Sequence, residues 1–428
     1  MTNKYIELFE SLEETLESLL PIGKLRKKAI KDFKSLGFPN SKMENWRNFN
    51  LKDFSDKEYQ MDIEQKELDL GFFEFIPEIE NEGLFIMYNG FSSFDMQIEK
   101  YKNGVIFGSL RAAINKYPEL VKKYLNKANK QTLNGFNALN TAFCADGFFL
   151  FVPEGIEVKM PYTVVNYFQN NKYDMVSIRN IVAVEDNSSI NLVNIEASGK
   201  KDMQFVNNIT EVFLGKNSKF EWDRLQKYNG KTIAINPVFI DQQETSRLNK
   251  TISTLRGFKL RNDIHNKMSG EHSNSEICGI YILDDGDQVE NRVYLDHAVP
   301  NCDSNQLFKG VLDGKSKGAF TGYVLVRQDS QKTNAFQSNK NIVISEDARI
   351  KTNPFLEIYA DDVKCSHGAS VGSLDENALF YLRSRGIDMK KARNILLSAF
   401  ALDALGNMEN KGFKELVSSE IESSLVKD

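Results

Sequence analysis

Apolar residues recur at helical spacing near both ends of the chain and alternate with polar residues in the middle. Near the amino terminus two helical runs end at Pro21 and Gly37, and Gly37 is a plausible C-terminal helix cap. Near the carboxyl terminus Asp375 and Asp388 are candidate N-caps of two further helices, and Gly386 ends the first of them. A thinner apolar stripe predicts one last helix. Its members are Phe413, Leu416, Val417, Ile421 and Leu425.

The middle of the chain, roughly residues 145–360, predicts strands separated by a recurring turn. Five blocks place two or three turn-forming residues between short β runs: AVEDNSSINLV, VFLGKNSKFEW, ILDDGDQVENRV, VLDGKSKGAFTGYV and VISEDARIKT. The first two turns, at Asn187 and Asn217, are 30 residues apart, and the later intervals are irregular. A long strand series without long helices is typical of a stacked solenoid, most simply a β-helix. A β-sandwich is the alternative.

These patterns predict a mainly β protein with three regions. Residues 1–139 are helical or mixed, residues 140–372 form a β-helix core, and residues 373–428 are helical. In the second carboxyl-terminal helix the predicted apolar face consists of Ala392, Leu396, Ala399 and Leu402, and Ile395, Leu397 and Phe400 widen it. We expect these helices to pack on the end of the solenoid, to dock a second protein, or both.

Composition excludes several classes of protein. The chain has 54 Lys and Arg against 59 Asp and Glu, so no strong basic field is available for nucleic acid. The four cysteines form no Cys-x-x-Cys pair, which suits free thiols in the reducing cytoplasm. No run of 18 apolar residues predicts a membrane span, and the Glu-rich start resembles neither a signal nor a transit peptide.

The sequence offers little support for an enzyme. GVLDGKS, residues 310–316, has three residues between its glycines where a phosphate-binding loop needs four, so we interpret it as a β-turn. No nucleophile elbow, metalloprotease helix or dinucleotide fingerprint is present. A β-helix enzyme acting on polysaccharides stays open as an alternative. Its candidate carboxylates are Asp284, Asp285 and Asp287, although LDDGDQ has the composition of a solvated turn.

Cys365 and His367 are the most suggestive candidate ligands. All four histidines and three of the four cysteines lie between residues 265 and 367. Residues two apart on a strand point to the same face, and thiolate and imidazole are good ligands for iron, zinc or iron–sulfur clusters. Two ligands are too few for a closed site. A buried Cys beside a hydrogen-bonded His, a site completed by a partner chain, and a Cys–His nucleophile pair all remain open.

The segment NPFLEIYADDVKCSHGASVGSLDENALFYLRSRGI, residues 353–387, closely resembles the signature of the SufB/SufD family of iron–sulfur cluster assembly proteins. The resemblance extends from Asp296 to about Leu405. NALNTAFCADGFFLFVPEG and LGFPNSKMENWR are similar to signatures nearer the family's amino terminus. Within the family the chain is most similar to the SufD branch. SufB proteins typically carry a cysteine, implicated in building the cluster, where this chain has Leu382.

The resemblance implies a right-handed parallel β-helix flanked by helical domains, and a scaffold rather than an enzyme. The implied complex contains one SufB, one SufD and two SufC subunits. The resemblance also links SufD to iron acquisition. SufB would pair with the β-helix, and the ATPase SufC would dock on the carboxyl-terminal helices. Candidate contacts for SufC are Leu396, Phe400, Leu402 and Leu405.

The resemblance also implies a role for the Cys-x-His strand. His367 matches a family histidine implicated, with the SufB cysteine, in a transient iron or iron–sulfur site at the SufB–SufD interface. Cys365 matches the neighbouring family cysteine and is the second candidate ligand. We therefore expect no cofactor held tightly by the chain alone. Exposed coil edges can pair with themselves, so the isolated chain could homodimerise or act as a homo-oligomeric interaction protein.

Overall fold

Helices occupy both ends of the chain and strands occupy its middle in a computed structural model. It describes residues 2–49, 51–55, 57–61, 63, 79–93, 98–128, 134–169, 174–199 and 203–426. Part of the segment predicted as mixed, residues 64–78, lies outside these residues, as do the last two of the predicted region 373–428. The described helices are α1 Thr2–Leu19, α2 Gly23–Leu36, α3 Lys52–Ser55, α4 Leu110–Lys116, α5 Pro118–Tyr124, α6 Gly135–Phe143, α7 Glu376–Ser384, α8 Met389–Leu402 and α9 Lys411–Leu425. None of these helices is long and apolar enough to cross a membrane.

The described strands form one continuous sheet system. They are β1 Gly83–Tyr88, β2 Phe91–Ser92, β3 Ile98–Lys100, β4 Ile106–Ser109, β5 Phe148–Val152, β6 Tyr162–Phe168, β7 Met175–Val184, β8 Ser189–Ser198, β9 Met203–Leu214, β10 Lys219–Gln242, β11 Arg247–Met268, β12 Asn274–Leu283, β13 Gln288–His297, β14 Asp303–Leu312, β15 Lys317–Val326, β16 Asn334–Val343, β17 Arg349–Ile358 and β18 Lys364–Gly372.

From β5 onward the strands wind into a parallel solenoid with two sides. Most strands pair in parallel with the strand two positions later, as β12 does with β14 and β14 with β16. β10 and β11 are long enough to cover both sides of a coil, so they pair with each other along most of their length. The expected mainly β solenoid core with helices at both termini is therefore confirmed.

Two edges, each with its own turns, explain the irregular turn spacing in the sequence. On one edge, successive turns each contain a residue with left-handed backbone conformation. These residues are Asn187, Asn217, Thr245, His272, Asn301 and Lys332. Their backbone amides link neighbouring coils, as when Asn217 N–H donates to Glu244 O at 2.8 Å. The blocks DDGD, DGKS and SEDA lie on the other edge, where β10 and β11 pass without a break. Each edge alone keeps an interval near 30 residues.

The two ends of the solenoid differ. At the amino-terminal end β1 pairs with β6 and β4 pairs with β5, and Phe85 and Phe107 fill the interior there. At the other end, among the described strands, β17 pairs in register only with β15, and β18 only with β16. The last coil therefore has a free edge on both sides.

The carboxyl-terminal helices pack along one side of the solenoid and leave its end open. Leu397 and Ala401 of α8, together with Val417 of α9, pack against outward residues such as Ile280 and Val311. The expectation that these helices cover the end of the solenoid is wrong. Of the predicted face of α8, Ala392 and the widening residue Leu397 are buried, together with Ala401, whereas Ile395 and Ala399 are exposed. Apolar residues lie nearly all around this helix, so spacing alone could not select the packed side.

The segment around Trp46 packs against the opposite side of the solenoid. Trp46 lies in a single 3₁₀ turn, and the Arg261 guanidinium of β11 is 3.8 Å from the centre of its ring. Arg261 also donates to Asn45 O at 2.7 Å and pairs with Asp263 and Glu290. One buried guanidinium thus ties the amino-terminal region to β11.

Candidate functional site

Cys365 and His367 lie side by side on the last strand, β18. They stand opposite Ala335 and Gln337 of β16, both of which are buried in the solenoid interior. By register Cys365 and His367 therefore belong to the inward row of the last coil, on the same face, as their spacing predicts. Cys365 is half-buried and His367 is exposed, because no coil within the described part of the chain covers this row.

The floor beneath His367 is polar. Gln337 Nε2 donates to Gln306 Oε1 at 3.0 Å, and Gln337 Oε1 is buried without a hydrogen-bond partner. A Cβ on Gly322 would lie 1.5 Å from Gln337 Nε2, so only glycine leaves room for this amide across the interior. On the two coils before β18 the row of His367 therefore consists of amides, and the apolar Ile277 follows them.

The electrostatics of the pair suit a ligand set that is only partly assembled. Burial raises the pKa of the Cys365 thiol, so it is protonated at neutral pH until a metal ion displaces the proton. Among the described residues, no side chain hydrogen-bonds the His367 ring. One imidazole and one thiol can supply about half of a four-ligand coordination sphere.

The other candidate Cys and His residues lie elsewhere. Cys278 is on the outer side of β12, where Asn407 contacts it, and burial raises its pKa to about 12. Cys302 lies in an edge turn, 3.3 Å from Ser273 Oγ, two strand spacings or about 10 Å before β18. His297 is fully buried with Nε2 2.8 Å from Ser304 Oγ. Within the described residues no three His, Cys, Asp or Glu side chains converge on a possible metal position.

The last coil also exposes apolar side chains that the sequence reading did not single out. The exposed fractions are 45% for Phe355, 39% for Ile358, 57% for Tyr359 and 52% for Val371. One signal was available, because β18 has a single large apolar residue, Val371, whereas each strand from β12 to β17 has at least three. An open end of a solenoid needs fewer core residues than a covered coil.

The predicted docking residues on α8 are mostly engaged within the chain. Leu405 is fully buried against the solenoid, and Phe400 and Leu402 are half-buried in the same cluster. Leu405 is therefore a packing residue in this structure. Among the described residues of the helical region, the exposed large apolar side chains lie instead on α7, on α8 and after α9. They are Phe380, Tyr381, Met389, Ile395 and Val426.

The segments that suggested a phosphate-binding loop and a polysaccharide-active site both form turns. Residues 313–316 of the phosphate-loop-like segment form a turn between β14 and β15, and no helix follows it. Asp284, Asp285 and Asp287 lie in the preceding turn on the same edge. There Asp287 Oδ2 accepts from Asp284 N–H, and Asp285 Oδ1 accepts from Lys315 N–H.

Comparison with known proteins agrees with this architecture. The model of the SufBD core domain of SUF system FeS cluster assembly matches residues 167–400, and the SufBD amino-terminal region matches residues 1–164. An iron–sulfur cluster assembly SufBD family protein of Synechocystis is 35% identical over 287 residues, 63% of this chain and 62% of that protein.

Two proteins named iron–sulfur cluster assembly protein SufD are also similar. The protein of Bacillus subtilis is 28% identical over 324 residues, 74% of each chain. That of Escherichia coli is 36% identical over 167 residues, 39% of this chain and 40% of the relative. The matches to the Synechocystis and E. coli proteins thus span less than two thirds of their lengths. Because the core-domain model matches more than half of the residues, the chain belongs to the SufBD family of iron–sulfur cluster assembly proteins.

Proposed function

We propose that this chain is a SufD-like, non-enzymatic scaffold subunit of the SUF complex, which supports iron–sulfur cluster assembly and iron acquisition. The observation that carries the proposal is the open last coil, which presents His367 beside two free strand edges. A second chain can pair with those edges and complete the ligand set. The four cysteines are free thiols, which fits the cytoplasm.

SufB is the proposed partner at the open coil. The transient iron or iron–sulfur cluster is cargo of the complex, held between the two chains. His367 supplies an imidazole nitrogen, Cys365 is positioned as a second ligand from this chain, and SufB supplies the rest. The solenoid contributes rigidity, because β18 is fixed to β16 by nine register pairs.

SufC is the proposed partner of the carboxyl-terminal helices. α7 has no buried residue, and Phe380 is 75% exposed and Tyr381 58% exposed. Arg383 and Arg385 follow on the same segment, so the surface combines aromatic and basic groups. This surface replaces Leu405 as the proposed contact.

The connection between helices and site suggests how motion is transmitted. Only residues 373–375 separate the end of β18 from the start of α7. A displacement of α7 by an ATP-driven partner therefore acts on the strand that carries His367. α8 is held separately, because Lys309 of β14 donates to Phe400 O at 2.9 Å.

The ligand role is tested by His367→Ala in the complex co-expressed with SufB and SufC. We expect intact assembly with most of the iron and sulfide lost, measured by metal analysis and visible absorption. His272→Asn is the matched control, because His272 is also exposed but lies in an edge turn away from the last coil. Full cluster loading in the His367→Ala complex would remove this residue from the ligand set.

The docking role is tested by the double variant Phe380→Ala/Tyr381→Ala and capture of SufC. Loss of these two side chains should weaken capture by about tenfold or more, since exposed aromatic residues commonly dominate interface energies. Phe336→Ala is the control, because it removes a 46% exposed phenylalanine from β16. Undiminished capture by the double variant would show that SufC binds elsewhere.

A further inference from the structure

A column of aromatic rings runs along the outer side of the sheet opposite the carboxyl-terminal helices. Its members occupy equivalent register positions on successive coils, so each ring lies beside the ring of the next coil. The centroid distances are 5.3, 5.9, 4.9 and 6.3 Å in chain order. The column consists of Phe239, His265, Tyr294, Tyr323 and Phe355.

The rings of the column are stacked or tilted toward one another. The interplanar angle is 12° between Tyr294 and Tyr323, and 39° between Tyr323 and Phe355. Burial lowers the pKa of His265 to about 4, so its imidazole is neutral and stacks without a net charge. The ring faces inside the column are therefore covered by neighbouring rings.

The column is closed at one end and open at the other. Phe239 is buried against Ala128, Ile209 and Phe213. Phe355 is 45% exposed and lies on β17, which has a free edge on the side away from β15. One face of the last ring thus lacks the neighbour that the other rings have.

A lysine beside the column gives a second constraint. Arg261, Glu290, Ala319 and Lys351 share the neighbouring row, in which Arg261 and Glu290 pair at 2.7 Å and the small Ala319 lies between Glu290 and Lys351. Lys351 is exposed on the free coil, four residues before Phe355. An acidic side chain on a strand added at this edge would lie beside Lys351, as Glu290 lies beside Arg261.

We propose that the strand of the partner that pairs with β17 carries an aromatic residue beside Phe355, with an acidic residue four positions away, so that the column continues across the interface and fixes its register. The inference rests on the proposed function, which names SufB as that partner. A slip of one residue would turn the partner's ring to the opposite face of its strand and leave Phe355 uncovered. The ring therefore selects one alignment, and this alignment also places the partner's ligands relative to His367.

The experiment measures SufB binding to the full-length chain by calorimetry. Phe355→Ala should weaken binding by about tenfold, whereas Phe355→Tyr should change it by less than about threefold, because a tyrosine ring preserves the stacking. Phe336→Ala is the matched control, since Phe336 is equally exposed but lies outside the column. Thermal unfolding of each variant verifies that the chain is folded.

A photo-crosslinking phenylalanine analogue at position 355 identifies the neighbour directly. We expect it to label SufB on a strand that has the stated aromatic and acidic residues. If Phe355→Ala binds SufB as tightly as the wild type, or if Phe336→Ala loses as much affinity as Phe355→Ala, the proposed continuation of the column is overturned. The proposed pairing with SufB is not affected by either result. Labelling of a second copy of this chain would overturn the choice of partner strand. Absence of any binding between the wild-type chain and SufB would overturn the proposed function itself.

Discussion

The same residue type serves different purposes at different positions in this solenoid. His297 is fully buried beside Ser304, whereas His367 belongs to an inward row but is exposed. The difference arises because further coils cover His297 and none covers His367. Cys302 shows the same dependence on position. Cys302 follows Asn301, whose backbone conformation is left-handed. The equivalent position in other turns is occupied by Ser218, Ser246 and Ser273, so the Cys302 thiol takes the place of a serine hydroxyl.

The buried His297 gives a prediction about pH. Burial lowers its pKa to about 4, whereas an unfolded histidine titrates near 6.5. Between these values the unfolded state binds a proton that the folded state does not, so stability falls as the pH falls. From pH 7 to pH 5 this histidine should lower the free energy of unfolding by about 2 kcal/mol.

Urea unfolding of His297→Gln at both pH values checks this prediction. The variant should lose less stability than the wild type on acidification, by about that amount. Ser304→Ala is the control, because it removes the hydrogen-bond partner and keeps the titrating ring. An unchanged pH dependence in His297→Gln would contradict the assignment.

At the scale of elements, the helical region is fixed to the solenoid by a few polar contacts in addition to its apolar face. Lys219 of β10 pairs with Glu409 at 2.8 Å, Lys227 of β10 pairs with Glu420 at 2.7 Å, and Lys309 of β14 pairs with Asp403 at 2.5 Å. In each pair the base belongs to the solenoid and the acid to the helical region. Lys309 is the most buried of the three bases, at 4% exposure.

Lys309→Ala should therefore loosen α8 without unfolding the solenoid. It removes the bond to Phe400 O and the ion pair with Asp403, so local opening should become about tenfold easier, or about 1.5 kcal/mol. Hydrogen exchange of α8 measures the change. Lys340→Ala is the matched control, because Lys340 is exposed at the same register position on the next coil. Unchanged exchange in α8 would show that its apolar face alone holds it.

At the scale of the whole molecule, the two ends of the solenoid are unequal. β1 and β4 cover the amino-terminal end, while β17 and β18 leave the other end with unpaired strand edges and exposed apolar residues. Such edges pair readily with other strands. A chain without its partner should therefore associate with itself at this end.

Val371→Lys tests this self-association. It places a charge in the inward row of the last coil, which must be desolvated when another strand covers it, so association should weaken by about tenfold or more. Sedimentation over a range of protein concentrations measures the effect. Val426→Lys is the control, because Val426 has similar exposure, 55%, but follows α9. Equal association of both variants would place the contact elsewhere.

Local signals in the sequence predicted local structure well. Asp375 caps α7 by accepting from Asn377 N–H and Ala378 N–H, and Asp388 caps α8 by accepting from Lys391 N–H. The alternation of the β runs and their turn residues predicted the solenoid. The packed face of α8 was predicted only in part, since Ala392 and Leu397 are buried but Ala399 is exposed. A helix with apolar residues on most sides is oriented by the surface it meets.

The sequence by itself determined the strands, the caps, the turns and the shared face of Cys365 and His367, since each depends on residues close together in the chain. Only the tertiary structure decided which coil is last, and therefore that His367 is exposed while His297 is enclosed. It also decided that Leu405 packs inward and that five aromatic rings align into a column ending at Phe355. These properties depend on how coils about 30 residues apart stack on one another, and no local pattern in the chain specifies that stacking.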